Sequence, residues 1–165
     1  MIIVKIWGGL GNQMFQYAAA KSLSLQYNVS LKLDISHYAK QGVNETAREF
    51  RLNVFPAIKE EIASINEINE YITTFEKPLF NSIYKILNKK NLLLNRKYLI
   101  EKSKSYQPII VNRDKKLYLE GYWQSEEYFK PFTSQISNQF NLDHLQSISD
   151  LDSKVKEISK TNAIS

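Results

Sequence analysis

The sequence predicts an α/β fold, a Rossmann-like parallel sheet with flanking helices, and three observations support this. The chain of 165 residues opens with a nearly continuous β-branched run at 2–6, typical of a strand covered on both faces. A glycine-rich turn follows, and then apolar residues recur at four-residue spacing, as in a buried helix. A second stretch alternates apolar and polar residues, as in a strand. One domain over residues 1–165 is the expectation for this length.

The first elements form a strand, helix and strand unit. They are a strand at 2–6, a turn at 8–11, a helix at 12–27 and a strand at 29–34. Asn28 is suited to end the helix because asparagine tolerates the left-handed conformation. A tight crossover of this kind brings the turn and Asp34 together at the carboxyl edge of the sheet. Open α/β sheets bind their ligands at that edge.

Later elements follow from shorter patterns. They are a strand at 50–55, an amphipathic helix at 58–72, a short helix near 79–87, a strand at 117–119, a helix after residue 125, an amphipathic helix at 145–158 and the start of a strand at 161–165. Ser125 is expected to cap its helix, with Glu126 and Glu127 opposing the positive end of the helix dipole.

Composition limits the classes of function. The net charge of +5 suits an anionic ligand or a membrane surface, and we predict no nucleic-acid partner. The basic stretch from Lys85 to Lys97 is interpreted as a solvated surface, or as a contact with anionic lipid. Cysteine is absent, which excludes disulfides and thiolate metal sites. The opening apolar run is too short for a signal peptide, so we expect a cytoplasmic protein, with peripheral contact at the inner face of the membrane left open.

The glycine-rich turn is the first candidate site. A turn of small residues leading into a helix exposes backbone N–H groups at the positive end of the helix dipole, where they bind anions. The dinucleotide-binding fingerprint requires a third glycine, but Met14 stands at that position, and no Walker lysine follows. The pattern alone leaves two interpretations open, a ligand-binding loop and a tight turn.

Two separated strings carry a resemblance to a known family. Residues 8–18, GGLGNQMFQYA, resemble the amino-terminal signature of glycosyltransferase family 11, the α-1,2-fucosyltransferases. Residues 119–129, LEGYWQSEEYF, resemble that family's internal aromatic segment. Asp34 and the stretch 48–55 agree more weakly, so the resemblance covers most of the chain.

The resemblance implies an inverting, metal-independent transferase of the GT-B type, which has two Rossmann-like halves. Such an enzyme moves fucose from GDP-fucose to the 2-hydroxyl of a galactose-terminated glycan, for example a surface polysaccharide, and needs no cofactor beyond this donor. The family's His-x-Arg-Arg-Gly-Asp donor-binding segment does not occur in these residues. We therefore expect residues 1–165 to be the amino-terminal domain, without the carboxy-terminal donor-binding half, and inactive alone.

The donor is expected at the glycine-rich turn. Without a metal, N–H donors and cations must stabilise charge on the leaving diphosphate. The candidates are the backbone at Gly9 and Gly11 and the side-chain amides of Asn12 and Gln13. Asn12 could instead cap the helix, and Gln13 could be a packing or solvent-exposed residue.

Catalytic and acceptor-binding candidates come from the strand ends. Asp34 is the first candidate for the base that deprotonates the acceptor hydroxyl and Glu120 the second, although either could be a helix cap or a surface charge. Tyr122 and Trp123 could stack on a sugar ring, or fill the core beneath the sheet.

No metal site is predicted. The Asp150-Leu151-Asp152 sequence matches the D-x-D pattern of metal-dependent transferases but falls on the polar side of a predicted helix, and His37 and His144 are isolated. Two other functions stay open: another nucleotide-binding α/β enzyme, which would bind NAD(P), and a non-catalytic module that binds glycans.

Overall fold

A sheet of five strands organises the part of the chain that the structure describes. The computed structural model describes residues 1–39, 47–72, 97–103, 105–111 and 114–142. The helices and strands are β1 (Ile2–Lys5), α1 (Leu10–Tyr27), β2 (Leu31–Asp34), β3 (Glu61–Ile62), α2 (Ile65–Tyr71), β4 (Tyr98–Ile100), β5 (Leu117–Glu120) and α3 (Thr133–Gln139).

Every pair of neighbouring strands in this sheet is parallel, in the order β3-β2-β1-β5-β4. Lys5 lies opposite Asp34, and Val4 lies opposite Leu119, so β1, β2 and β5 end at the same edge. The predicted α/β class, a parallel sheet with flanking helices, is confirmed. The GT-B assignment stays a prediction.

Hydrophobic side chains cover both faces of the sheet. On one face α1 packs over Ile2, Val4 and Leu119. On the other face Ile3 and Tyr118 pack with α2. Because β1 is covered on both sides, its three residues at 2–4 are fully buried, and this burial explains the continuous apolar run in the sequence.

The helix α1 begins two residues earlier than predicted. Gly9 is its N-cap residue and Leu10 its first residue, so the turn itself is confined to Gly8 and Gly9. At the other end, Asn28 has φ 50° and donates its backbone N–H to the carbonyls of Leu25 and Ser24. The left-handed end predicted at Asn28 is confirmed.

The strand predicted at 50–55 is wrong. Leu52–Val54 form a 3₁₀ turn, in which the N–H of Phe55 bonds to the carbonyl of Leu52 at 3.1 Å. A helical turn brings residues three apart onto one side. Leu52 and Phe55 are both buried in the core on the α1 side, which accounts for the apolar residues that resembled a strand.

The helix predicted at 58–72 is correct only in its last part. Ser64 and Glu67 form a reciprocal capping box, which starts α2 at Ile65. The residues Glu61–Ile62 instead extend the sheet as β3. Ile62 and Ile65 are exposed, so their spacing did not indicate a buried face.

Two local predictions near the end of the described chain have different outcomes. Ser125 accepts a hydrogen bond from the N–H of Glu127, but the turn that it caps is 3₁₀, at Glu126–Tyr128. The strand β4 was not predicted.

Several predicted features lie outside the described residues. They are the helices at 79–87 and 145–158, the strand at 161–165, the basic stretch before Lys97, His144 and the D-x-D sequence. Within the described part, no helix combines the length and the hydrophobicity required to cross a bilayer.

Candidate functional site

The candidate site lies where the turn after β1 meets the loop after β5. These two strands are neighbours at the centre of the sheet, and their carboxyl ends are at the same edge. The β2 end is close as well, because the N–H of Ile6 donates to the carbonyl of Asp34 at 2.8 Å. The backbone of Asp34 therefore lies beside Ile6, two residues before the turn, at the same edge of the sheet.

The two glycines of the turn have different roles. Gly8 has φ +77°, and a Cβ there would lie 2.8 Å from Nδ2 of Asn12, so this position requires glycine. In contrast, Cβ atoms at Gly9 and Gly11 would meet nothing within 4 Å. The start of α1 is thus open to an approaching group.

The first amides of α1 lack partners among the described residues. No side chain caps the helix, and no described group accepts from the N–H of Leu10, Gly11 or Asn12. The first turn also contains no acidic residue. This arrangement provides unneutralised N–H donors at the positive end of an 18-residue helix, which favours an anion.

Gln13 is a buried structural link. Its Nε2 donates to the carbonyls of Gly8 at 3.0 Å and Glu49 at 2.8 Å, and its Oε1 accepts from the N–H of Arg51 at 2.8 Å. The side chain is fully buried. These three bonds tie the turn to the 49–51 segment, and they correspond to the packing role that the sequence allowed for Gln13.

A polar cleft lies beside the turn. It has a volume of about 330 Å³ and is lined by Gly9, Leu10, Ala47, Arg48, Glu49 and Arg51. Arg51 pairs with Glu49 at 2.6 Å, and both side chains are largely exposed. Two guanidinium groups thus line the same cleft as the start of α1. Sequence reasoning did not name these arginines as site residues, although they fall in the 48–55 stretch that weakly resembles the fucosyltransferases.

Asn12, the third residue of α1, connects the start of this helix to the loop after β5. Its Oδ1 accepts a hydrogen bond from Nε2 of Gln124 at 2.7 Å. The two residues are 112 positions apart in the chain. Each belongs to one of the two strings that carry the family resemblance, so the fold brings these strings into direct contact.

An aromatic pair makes a second connection between the same two loops. The rings of Trp7 and Tyr122 stack with centroids 4.3 Å apart and planes 28° from parallel. Trp7 also donates its Nε1 N–H to the carbonyl of Gly121 at 3.4 Å. Its ring makes a T-shaped contact with the ring of His37, with the ring centroids 6.0 Å apart. Tyr122 is 37% exposed. Sequence reasoning missed Trp7, although an aromatic residue directly after a buried strand lies at the ligand-binding edge.

Trp123 belongs to the core. It is 2% exposed and packs edge-on against Tyr128, in agreement with the core-filling interpretation. Its backbone has φ +54°, and the Glu101 carboxylate accepts from the N–H groups of Tyr122 and Trp123. A Cβ at Gly121 would lie 2.4 Å from the Cβ of Glu101, so glycine is needed there for this close approach.

The Asp34 side chain is buried on the sheet face opposite α1. Its Oδ2 accepts from the hydroxyl of Tyr118 at 2.5 Å, and its Oδ1 accepts from the N–H of Ser36 at 2.8 Å. Asp34 is only 3% exposed. Burial, followed by the charge of Asp34, raises the pKa of Tyr118 far above its usual value, so the phenol stays a donor to the carboxylate.

Glu120 lies on the same face as Asp34 and also has partners. Its Oε1 pairs with Nζ of Lys5 at 2.8 Å, and its Oε2 accepts from the hydroxyl of Tyr98 at 2.5 Å. The Glu120 side chain is 27% exposed, so solvent reaches it. The structure therefore places both carboxylates on the opposite face from the helix that carries Asn12 and Gln13.

The arrangement combines two kinds of recognition at one edge. Open amides and arginines on one side suit a phosphate, and an exposed aromatic ring with side-chain amides on the other suits a hydroxylated ring. Among the described residues, no group of three or more His, Asp or Glu side chains is placed to bind a metal ion.

Comparison with known proteins relates the chain to glycosyltransferases. The chain is 42% identical over 103 residues to the O-antigen biosynthesis glycosyltransferase WbnK of Escherichia coli, covering 55% of this chain and 33% of that protein. It is 32% identical over 136 residues to an alpha-1,2-colitosyltransferase of Escherichia coli, covering 78% of this chain and 41% of that protein. The matched regions thus cover less than half the length of either relative. No protein-family model and no solved structure matches it.

Proposed function

We propose that this chain forms the amino-terminal half of an α-1,2-fucosyltransferase that moves fucose from GDP-fucose to the 2-hydroxyl of a galactoside during glycan synthesis. The transfer inverts the anomeric carbon and uses no metal. The relationship to glycosyltransferases supports the class of reaction, and the resemblance of residues 8–18 and 119–129 to the fucosyltransferases supports the sugar and the linkage.

One observation carries the proposal. The two family-like strings are far apart in the sequence, yet they meet at the carboxyl edge through the 2.7 Å hydrogen bond between Gln124 and Asn12. Ligands of α/β sheets bind at this edge. A contact between the two strings at the expected ligand position is what a shared substrate site requires.

The donor diphosphate is assigned to the start of α1. Loss of GDP from the anomeric carbon places negative charge on the leaving phosphate, and fixed N–H dipoles stabilise such charge. The open amides at Leu10, Gly11 and Asn12 provide these dipoles. The cleft next to them is lined by Arg48, Arg51 and Glu49, and because Glu49 pairs with Arg51, these three side chains together add one net positive charge.

The acceptor hydroxyl must lose a proton, and we assign its base to Glu120 rather than Asp34. Both oxygens of each carboxylate already accept a hydrogen bond, so exposure distinguishes the two: the Glu120 side chain is 27% exposed, whereas Asp34 is 3% exposed. Glu120 also directly precedes the loop that contains Tyr122. A base must come within hydrogen-bond distance of the hydroxyl, which a partly exposed carboxylate can do more easily than a buried one.

GDP-colitose is a second candidate donor. One relative is named an alpha-1,2-colitosyltransferase, and it aligns with 78% of this chain. Colitose is fucose that lacks the 3-hydroxyl, so the same site geometry can accept either sugar. Transfer from GDP-colitose alone would keep the class of reaction and replace fucose as the donor sugar.

A Gly9→Ala variant of the full-length protein tests the donor assignment. A methyl group at Gly9 meets nothing within 4 Å, and the backbone there has φ −78°, so the fold should tolerate alanine. A phosphate close to the turn would meet that methyl group. We expect the KM for GDP-fucose to rise on the order of tenfold, with thermal unfolding unchanged.

Gln26→Ala is the matched control, because Gln26 is exposed on the same helix. Its kinetics with GDP-fucose should equal those of the wild type. The assay follows release of GDP and analyses the linkage of the product. An unchanged KM in Gly9→Ala would refute the donor position, and absence of transfer from both GDP-fucose and GDP-colitose would refute the function.

A further inference from the structure

We propose that the Trp7–Tyr122 stack and the Asn12–Gln124 amide pair together form the binding subsite for the acceptor sugar, a galactopyranoside. This inference rests on the proposed function and adds Trp7, which lies outside both family-like strings. It also places the second aromatic partner at Trp7 rather than Trp123, whose ring is buried in the core.

The aromatic half of the subsite is a supported, exposed ring. Trp7 stacks against Tyr122 at 4.3 Å and is itself held by a hydrogen bond to the carbonyl of Gly121 and by the edge of His37. One face of Tyr122 is thus covered, and the residue remains 37% exposed. A ring that is held in place loses little freedom when a ligand stacks on it.

The loop backbone under Tyr122 is also held in place. Glu101 accepts from the N–H of Tyr122 at 2.7 Å and from the N–H of Trp123 at 3.1 Å. The buried Trp123 side chain anchors the next residue in the core. The position of Tyr122 is therefore set by its backbone as well as by Trp7.

The amide half of the subsite supplies one hydrogen-bond donor and one hydrogen-bond acceptor. Asn12 Oδ1 accepts a hydrogen bond from Gln124 Nε2, and this bond fixes the orientation of both amide groups. Nδ2 of Asn12 is left as a donor and Oε1 of Gln124 as an acceptor, which is the combination that a sugar hydroxyl satisfies. The amide pair and the aromatic pair both join the segment after β1 to the loop after β5.

The chemistry of galactose fits such a surface. Its 4-hydroxyl is axial, which leaves the C–H groups at carbons 3, 4 and 5 on one face as an apolar patch. That patch can stack on an aromatic ring, whose face carries partial negative charge. The equatorial 2-hydroxyl remains at the rim of the stacked sugar, outside the contact with the ring.

Two-substrate kinetics of Tyr122→Leu in the full-length protein test the subsite, with methyl β-D-galactopyranoside as the acceptor. We expect the KM for this galactoside to rise on the order of tenfold or more while the KM for GDP-fucose is unchanged. Tyr122→Phe keeps the ring, so its KM for the galactoside should lie closer to the wild-type value than that of Tyr122→Leu. Tyr106→Leu is the control, because Tyr106 is also exposed and contacts Tyr128 instead.

Fluorescence separates a failure of the subsite from a failure of the proposed function. Residues 1–165 contain two tryptophans, so within this region Trp7→Phe leaves only the buried Trp123. A galactoside should change the emission of the full-length wild type more than that of full-length Trp7→Phe. Binding without transfer would support the subsite and refute the transferase, whereas transfer with equal acceptor KM in Tyr122→Leu and Tyr106→Leu would overturn the subsite.

Discussion

At the scale of single residues, hydrogen-bond partners decide which candidates can meet a substrate. Gln13 uses both ends of its amide inside the protein, so it shapes the turn instead of projecting from it. Asn12 has one end bonded and lies partly exposed at the edge. Adjacent residues of similar chemistry therefore have different roles, and only their three-dimensional partners distinguish them.

The two candidate carboxylates should behave differently when neutralised. We expect Asp34→Asn to lower the free energy of unfolding by about 1–3 kcal/mol, because Tyr118 loses a charged, buried acceptor, with turnover within a few-fold of wild type. Glu120→Gln should lower turnover on the order of a hundredfold, as loss of a general base does. Chemical denaturation and transfer rates of both variants are the measurements. A hundredfold loss in Asp34→Asn with normal Glu120→Gln would reverse the assignment.

The sequence could predict some residue environments and not others. Asn28 was predictable because its left-handed conformation depends on the local chain. The role of Trp7 depends on Tyr122, a residue 115 positions later that becomes its neighbour only after β1 pairs with β5. No local pattern contains that information.

At the scale of elements, segments with strong local signals were predictable and short sheet strands were not. The strand β1 has a continuous apolar run and α1 has recurring apolar residues over 18 positions, and both patterns reflect burial in the folded chain. The strands β3 and β4 have two and three residues, and pairing with β2 and β5 defines them. A strand this short contains too few residues for a periodic pattern.

The start of α2 depends on charge. Lys32 bonds to Glu67 at 2.7 Å, and Ser64 donates to the same carboxylate. The hydrogen bond from Lys32, followed by those from Ser64, lowers the pKa of Glu67 to about 2, from an ordinary value of 4.5. Because the folded pKa is the lower one, ionised Glu67 stabilises the fold above pH 4.5, and this contribution is lost as the pH falls towards 2.

Glu67→Gln should remove this pH dependence while keeping the capping geometry, since glutamine also serves at this position of a capping box. The wild type should unfold at a higher temperature than Glu67→Gln at pH 6, and the difference should shrink as the pH falls through the same window. Glu70→Gln, also on α2 and exposed, is the control for loss of one negative charge. A constant difference between wild type and Glu67→Gln at all pH values would contradict the role of Lys32.

At the scale of the whole molecule, the parallel sheet assembles the site from distant segments. The turn after β1, the 47–51 segment and the loop after β5 contribute the amides, the arginines and the aromatic ring, respectively. The carboxyl edge itself was predictable, because parallel strands end together. The face of the sheet on which each carboxylate lies was not predictable, because that face depends on the register of β2 and β5 relative to α1.

The proposed donor site places the diphosphate against the open amides at the start of α1. Amide chemical shifts of the full-length, ¹⁵N-labelled protein, recorded during titration with GDP-fucose, test it most directly, with NAD as the control for another nucleotide-binding enzyme. We expect saturable shifts at Gly9, Leu10, Gly11 and Asn12 with GDP-fucose and with GDP, and none with NAD. Saturable GDP-fucose binding that leaves these four amides unchanged would contradict it.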